Sequence, residues 1–311
     1  MRKIIALLLA LILTVSVITF LPVKAEVKTI IVPDDYSSIQ TAVDKASTGD
    51  TVLVKSGTYH QNVTINKQLS LIGENDETTI LYGPRSSTPL DPSSTIYINA
   101  DNVRVSGFTI KDNMIGISAN GNGIQVISNV IDIYADRGIV LTGSFGTIAN
   151  NTAPSQPTYR THNGQITCSG SNNTISGNII TNRIEVKGSF NKVYANSATR
   201  ISLEDADSNT VSNNKFGGLE LRGCSFNNVL GNVIRGPGDW GILMGEGHDN
   251  VFYANNVTDF REGPNGYGIA LGGNRYALSE NNTFYPNNFV NNSRGVGWNW
   301  DLNGRVKKLL G

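Results

Sequence analysis

Between residues 183 and 222 the chain alternates charged and apolar side chains in three short runs, "RIEVK", "RISLE" and "LELR". Two of the charges, Glu185 and Glu220, are the carboxylates that could act as an acid and base pair on a glycosidic bond. Arg183, Arg200, Glu204 and Arg222 supply groups for charge-assisted hydrogen bonds to a polar ligand. Tyr159, Trp240 and Tyr267 stand in neighbouring glycine- and proline-containing stretches and could present flat faces to sugar rings. Softer ligands are sparse: His60, His162, His248, Met114, Met244, Cys168 and Cys224 are well separated along the chain.

What would bring such residues together is a repeat. Asparagine recurs at positions 129, 151, 178, 196, 214, 232, 255 and 287, each with an apolar residue three places earlier, from Val126 to Phe284. The middle intervals are 18 residues, and an earlier partial match puts Gly107 in the asparagine position. Each block also carries a second apolar pair, such as Ile184/Val186 and Ile201/Leu203. Short alternating segments punctuated by Gly and Asn are strand and turn signals, and self-similarity near twenty residues means a solenoid. The Leu-x-x-Leu-x-Leu pattern and helical portion of leucine-rich repeats are absent, which leaves a parallel β-helix. Stacked coils then place the asparagines above one another, bonded along the stack inside a corner.

That geometry fixes other expectations. Cys168 faces inward while Cys224 lies in a corner three coils on, roughly 14 Å along the axis at the strand spacing. A disulfide needs Cα atoms within about 7 Å, so both are expected as isolated thiols. His162 and His248 fall four coils apart, roughly 19 Å. No soft ligands converge, and neither a metal nor another cofactor is expected. Glu185 and Glu220 occupy equivalent outward positions two coils apart, roughly 9–10 Å between backbones. Residues 152–164, 235–240 and 258–267 are insertions leaving one corner, and would wall a groove floored by the short coils 173–226.

The 311-residue chain is 16 % charged, without acidic or basic tracts. Arg2 and Lys3, an apolar run from Ile4 to Phe20 and small residues before Glu26 have the layout of a secretory leader over residues 1–25, with an uncleaved N-terminal anchor as the alternative. Cleavage after Ala25 would leave 22 basic against 25 acidic residues. Nothing there would steer nucleic acid, and a membrane contact would come only through that first segment. An extracytoplasmic location follows. Residues 26–100 read as an N-terminal cap and first coils, with a short helix near 38–46, and residues 101–311 as the repeats.

The stretch "IVPDDYSSIQTAVDKASTGDTVLVKSGTYHQNVTINKQLSLIGENDETTIL" resembles the N-terminal cap of the pectin-lyase-like right-handed β-helices. More narrowly it is similar to the NosD-like, or carbohydrate-binding and sugar-hydrolysis, group of exported proteins. The resemblance implies an all-β, single-domain right-handed parallel β-helix. It also implies one of two roles, polysaccharide binding or cleavage, or a periplasmic copper-linked accessory role. Related chains continue past a Trp-Asp pair into a closing segment; here "GWNWDLNGRVKKLLG" ends the sequence, so the C-terminal closure is expected to be short. Either Val306, Leu309 and Leu310 cover the last coil, or another chain does so in an oligomer.

The catalytic motifs of the relatives are missing. Gly-His-Gly and Arg-x-Lys do not occur, "EGHDN" lacks the glycine partner, and Asp91-Pro92 is not followed by His. Asp205 and Asp207 are the only close acidic pair in the regular coils. The expected function is therefore binding of a polysaccharide or surface glycan in the groove. A polysaccharide lyase or glycoside hydrolase, a structural or adhesive surface protein, and a copper-accessory protein are the alternatives.

Overall fold

Alternation of β-branched residues with Gly and Asn corners produces a right-handed parallel β-helix. The computed structural model describes residues 26–84, 94–133, 137–154, 165–261, 266–272, 279–284 and 286–299. The leader, Asp91-Pro92, Tyr159, His162 and the tail from Trp300 onward lie outside them. Three parallel sheets run the length of the described chain. Sheet I extends from Thr29–Val32 to Thr283–Phe284, sheet II from Gly57–His60 to Asn288–Val290, and sheet III from Val63–Ile65 to Arg294–Asn299. Each coil passes through them in that order, as in Arg104–Ser106, Thr109–Lys111 and Ile115–Asn120.

One helix, Ile39–Lys45, covers the first coils. Ser38 caps it by accepting the Thr41 N–H, and Ile39, Ala42 and Val43 face the core. This matches the expected position. After the helix come the strands Thr51–Val54, Val63–Ile65 and Ser70–Gly73. Thr29–Val32, Gly57–His60 and Thr79–Tyr82 complete the strands of this first region up to residue 84.

The core is a set of columns. In sheet I, Val105, Val126, Ile148, Ile175, Val193, Val211, Val229, Phe252 and Phe284 follow one another in register, and the last two rings stack at 4.4 Å. In sheet III, Cys168 sits between Leu141 and Val186. Both cysteines are buried free thiols, and burial pushes them up to about 12 for Cys168 and about 11 for Cys224.

Two asparagine ladders close two of the three corners. Between sheets I and II, the Asn196 backbone N–H and Nδ2 both donate to Asn214 Oδ1, at 2.9 and 3.0 Å. Its Nδ2 also bonds the Ile175 carbonyl of the preceding coil at 2.9 Å. The same unit repeats from Asn129 to Asn287. The expected Gly107 alignment is one residue off. Phe108, fully buried, occupies the ladder position and gives its N–H to Asn129 Oδ1. A second ladder, Asn173, Asn191, Asn209, Asn227, Asn250 and Asn282, closes the corner between sheets III and I. In both, the left-handed backbone belongs to the residue before the ladder asparagine, such as Ala195 or Phe190, and not to the asparagine itself.

Candidate functional site

On sheet III the side chains alternate between core and outer face. Ile166/Cys168, Ile184/Val186, Ile201/Leu203 and Leu219/Leu221 are all fully buried, so the residues between them must project outward. Their register makes columns. Thr167, Glu185, Ser202 and Glu220 form one, and Glu204 and Arg222 are partners in the next.

The charged residues of the short coils largely engage one another. Lys187 Nζ lies 2.9 Å from Glu204 and 3.2 Å from Glu185. The hydrogen bonds to Glu204, then Glu185, hold the Lys187 ammonium above its ordinary range, and the same Lys187 contact holds Glu204 below the usual carboxylate range. Glu220 is buried, in ion contact with Arg222 and 3.8 Å from Arg200. Lys187 thus pairs with Glu204, whereas Arg222, the register partner of Glu204, turns to Glu220. Arg200 also lies over the Trp240 ring at 4.4 Å. That contact crosses an intervening coil, passing Gly218, where a Cβ would only touch the indole at an ordinary 3.6 Å. Burial lowers the Arg200 guanidinium from its ordinary range. Trp240 is the register partner of Tyr267 on the next coil.

Glu185 and Glu220 do share a column, with the Ser202 hydroxyl between them, buried and without a hydrogen-bond partner among the described residues. Their settings differ. Glu220 is enclosed by guanidinium groups, whereas Glu185 accepts from Gln165 Nε2 at 2.6 Å and borders open space. That space is a depression of about 470 Å³ over the strands Arg137–Thr142, Gln165–Ser169 and Arg183–Lys187. Apart from Val140 its lining is polar: Arg137, Thr142, Gln165, Thr167, Ser169, Glu185 and Lys187. It begins two coils before the short-coil patch and overlaps it only at Glu185 and Lys187.

Of the residues singled out from sequence, Glu185 therefore borders the depression. Arg200, Glu204, Glu220, Arg222 and Trp240 belong to the ion-paired patch beside it, and Arg183 is the register partner of Arg200. Arg137, Gln165, Thr167 and Ser169 were not singled out. Their signal was available: they occupy the same outward positions as the charged residues, one and two coils earlier. The insertions containing residues 154–164, 236–239 and 259–266 all link sheet II to sheet III, the expected common corner.

Comparison with known proteins adds the family. A family model described as "Periplasmic copper-binding protein (NosD)" matches residues 43–259 and, in a second overlapping match, 189–301. The chain belongs to the NosD family. This NosD-family chain is 33 % identical over 127 residues to a "Cell surface glycoprotein" of Methanothermus fervidus. The match covers 40 % of this chain and 20 % of the relative, so the chain spans about a fifth of that protein. Among solved structures it resembles the A-module of the Azotobacter vinelandii mannuronan C-5 epimerase AlgE4. There the TM-score is 0.57 and the identity 13 %, over 89 % of this chain and 96 % of that one. That likeness is one of fold.

Copper, named in the family description, can be tested against the side chains. Among the described residues no three of His, Cys, Asp or Glu converge on a point. The two thiols are buried and held protonated, and copper takes thiolate, imidazole or thioether ligands. His60 stacks on Tyr82 at 5.0 Å, and His248 Nδ1 lies 2.7 Å from Asp249. The described residues do not fit a copper centre.

Proposed function

We propose that this NosD-family chain binds an extracellular polysaccharide in the depression on sheet III. The observation that carries the reading is the lining itself. A guanidinium, an ammonium, an amide, a carboxylate and three hydroxyls converge on one open surface of about 470 Å³. Such a mix of donors and acceptors suits sugar hydroxyls, and Arg137 and Lys187 suit an acidic sugar. The adjoining ion-paired patch, with Arg200 clamped on Trp240, gives the depression a firm edge. The setting agrees with a family described as periplasmic and a relative named as a cell surface glycoprotein. Among the described residues no helix is long and apolar enough to cross a membrane.

Binding is favoured over catalysis by the state of Glu220. Its carboxylate is occupied by Arg222 and Arg200, so it faces its own arginines rather than the open surface.

A glycan array with the secreted chain, followed by calorimetry on the best ligand, tests the reading. Losing one charged hydrogen bond costs about 1.5–3 kcal/mol, roughly 10- to 100-fold in affinity. Arg137→Ala and Glu185→Gln should each show that loss, and Lys215→Ala, on sheet II, should not. Wild-type affinity in both depression variants, or no glycan bound at all, would refute the proposal. Appearance of reducing ends or unsaturated uronate in the same samples, abolished by Glu185→Gln, would replace binding with turnover.

A further inference from the structure

The corner between sheets III and I carries an unexplained row of aromatic rings. Phe145, Phe190 and Phe226 are 68, 60 and 53 % exposed, each immediately preceding a residue of the second ladder position. All three hold left-handed backbone, with φ of 61°, 61° and 59°. Asn and Asp tolerate that conformation, and a bulky aromatic there is an outlier. The equivalent residues on intervening coils are Asn172 and Ser208, as the coil-to-coil bonds from Phe145 to Ser171, Asn172 to Ser189, Phe190 to Asp207 and Ser208 to Ser225 establish. Phenylalanine thus occupies alternate coils, twice accepting an unfavourable environment, in backbone and in water. Outliers of this kind are concentrated where a surface has a task.

We propose that this row is a second binding surface, for an extended β-1,4-linked polysaccharide lying parallel to the solenoid axis. Two coils advance about 9.6 Å, close to the two-sugar repeat of such a chain, in which every second ring presents the same face. Each phenyl then meets an equivalent apolar sugar face. The serines beside the row add donors. Ser144 Oγ accepts the Ser171 N–H at 3.1 Å and Ser171 Oγ the Ser189 N–H at 3.2 Å, and both serines are half-buried at the surface. Each hydroxyl proton stays available to a sugar oxygen. Phe226 is braced edge-on by His248, ring centroids 5.1 Å apart. Polar gaps at Asn172 and Ser208 separate the rings, whereas the core of a protein interface is continuous and apolar. The spacing therefore favours a sugar chain over a second copy of this protein.

The test is co-sedimentation of the secreted chain with phosphoric-acid-swollen cellulose and with chitin, against granular starch as a coiled α-linked control. Phe145→Asn, Phe190→Asn and Phe226→Asn, singly and together, keep the fold, because Asn172 already holds the same corner. Wild type should sediment with a β-1,4-linked polymer and not with starch, each single variant should weaken binding several-fold, and the triple variant should abolish it. Lys215→Ala, exposed on sheet II, should sediment as wild type, and the triple variant should keep the glycan affinity of the depression in calorimetry, which separates the two surfaces. Equal sedimentation of the triple variant, equal binding to starch, or no sedimentation of wild type would overturn the proposal. So would light scattering that shows a dimer lost in the triple variant, since the row would then join two copies.

Discussion

The corner at Gly73 and Gly107 and the corner at Asn178 and Asn196 face the same problem, a sharp turn in which buried backbone amides need partners. The first coils solve it with contact between backbones. A Cβ on Gly73 would lie 2.0 Å from the Gly107 carbonyl oxygen, so no side chain fits. The middle coils solve it with a carboxamide that accepts two donors from the preceding coil and returns one to a carbonyl of that same coil. The difference concerns what each corner transmits. A glycine contact permits close approach and specifies little else. An asparagine fixes the next asparagine in height and direction, and the coils there settle into 18-residue steps.

Replacing Asn196 with Leu should have the largest effect. It strips the acceptor from the Asn178 N–H and Nδ2 and the donor from the Ile175 and Tyr194 carbonyls. Several buried groups lose partners at about 1–3 kcal/mol each, so a loss on the order of 3 kcal/mol is expected in urea unfolding. A loss below 1 kcal/mol would mean that the ladder follows the coils rather than holding them. Gly73→Ala should come next, at about 1–3 kcal/mol, because overpacking there can be relieved only by moving backbone. If it proves costlier than the Asn196 change, the glycine corner is the stiffer of the two.

Glu204→Gln should matter least. An exposed ion pair contributes a few tenths of a kcal/mol, and the loss should shrink further in high salt. Its pH dependence has a definite sign. The Glu204 carboxyl is held below its ordinary range by Lys187, so its contribution is full above about 4.3 and fades as pH falls through the lowered value. Lys187 is raised, so its share is full below about 10.4 and is lost as pH rises through the raised value. Wild type and variant should therefore differ by a constant amount between those limits and converge in acid. A difference that instead grows in acid would mean that Lys187 does not stabilise the Glu204 carboxylate in the folded chain.

The sheets and core columns were legible because their residues repeat: an apolar residue three places before each Asn states both inward direction and coil length. Phe108 was misplaced by one because its coil has no asparagine to mark the corner, and Gly107 resembled the nearest substitute. The second ladder repeats at the same 18-residue interval, from Asn173 to Asn227, yet its burial was not legible, since nothing in the letters distinguishes a turn that faces water from one that closes the core. At the candidate site, position was readable and engagement was not. Glu185 and Glu220 are equivalent in the repeat, but Gln165 is beside one and two arginines enclose the other. That distinction depends on rotamers and on which long side chain reaches which neighbour. The Arg200–Trp240 contact illustrates the point: it spans a whole coil, and no sequence interval marks it.

The ladder also bears on how such a molecule can change its length over generations. Its rungs are identical at Asn178, Asn196, Asn214 and Asn232, and each presents to the next coil the atoms it receives from the one before. A tandem duplication of one 18-residue unit would meet the same carboxamide above and below, with no neighbour required to change. The Gly73–Gly107 corner has no such interchangeable face. The middle of the solenoid is thus where copies of a coil can be gained or lost in single steps, lengthening or shortening both outer surfaces by one coil rise while the capped beginning stays fixed.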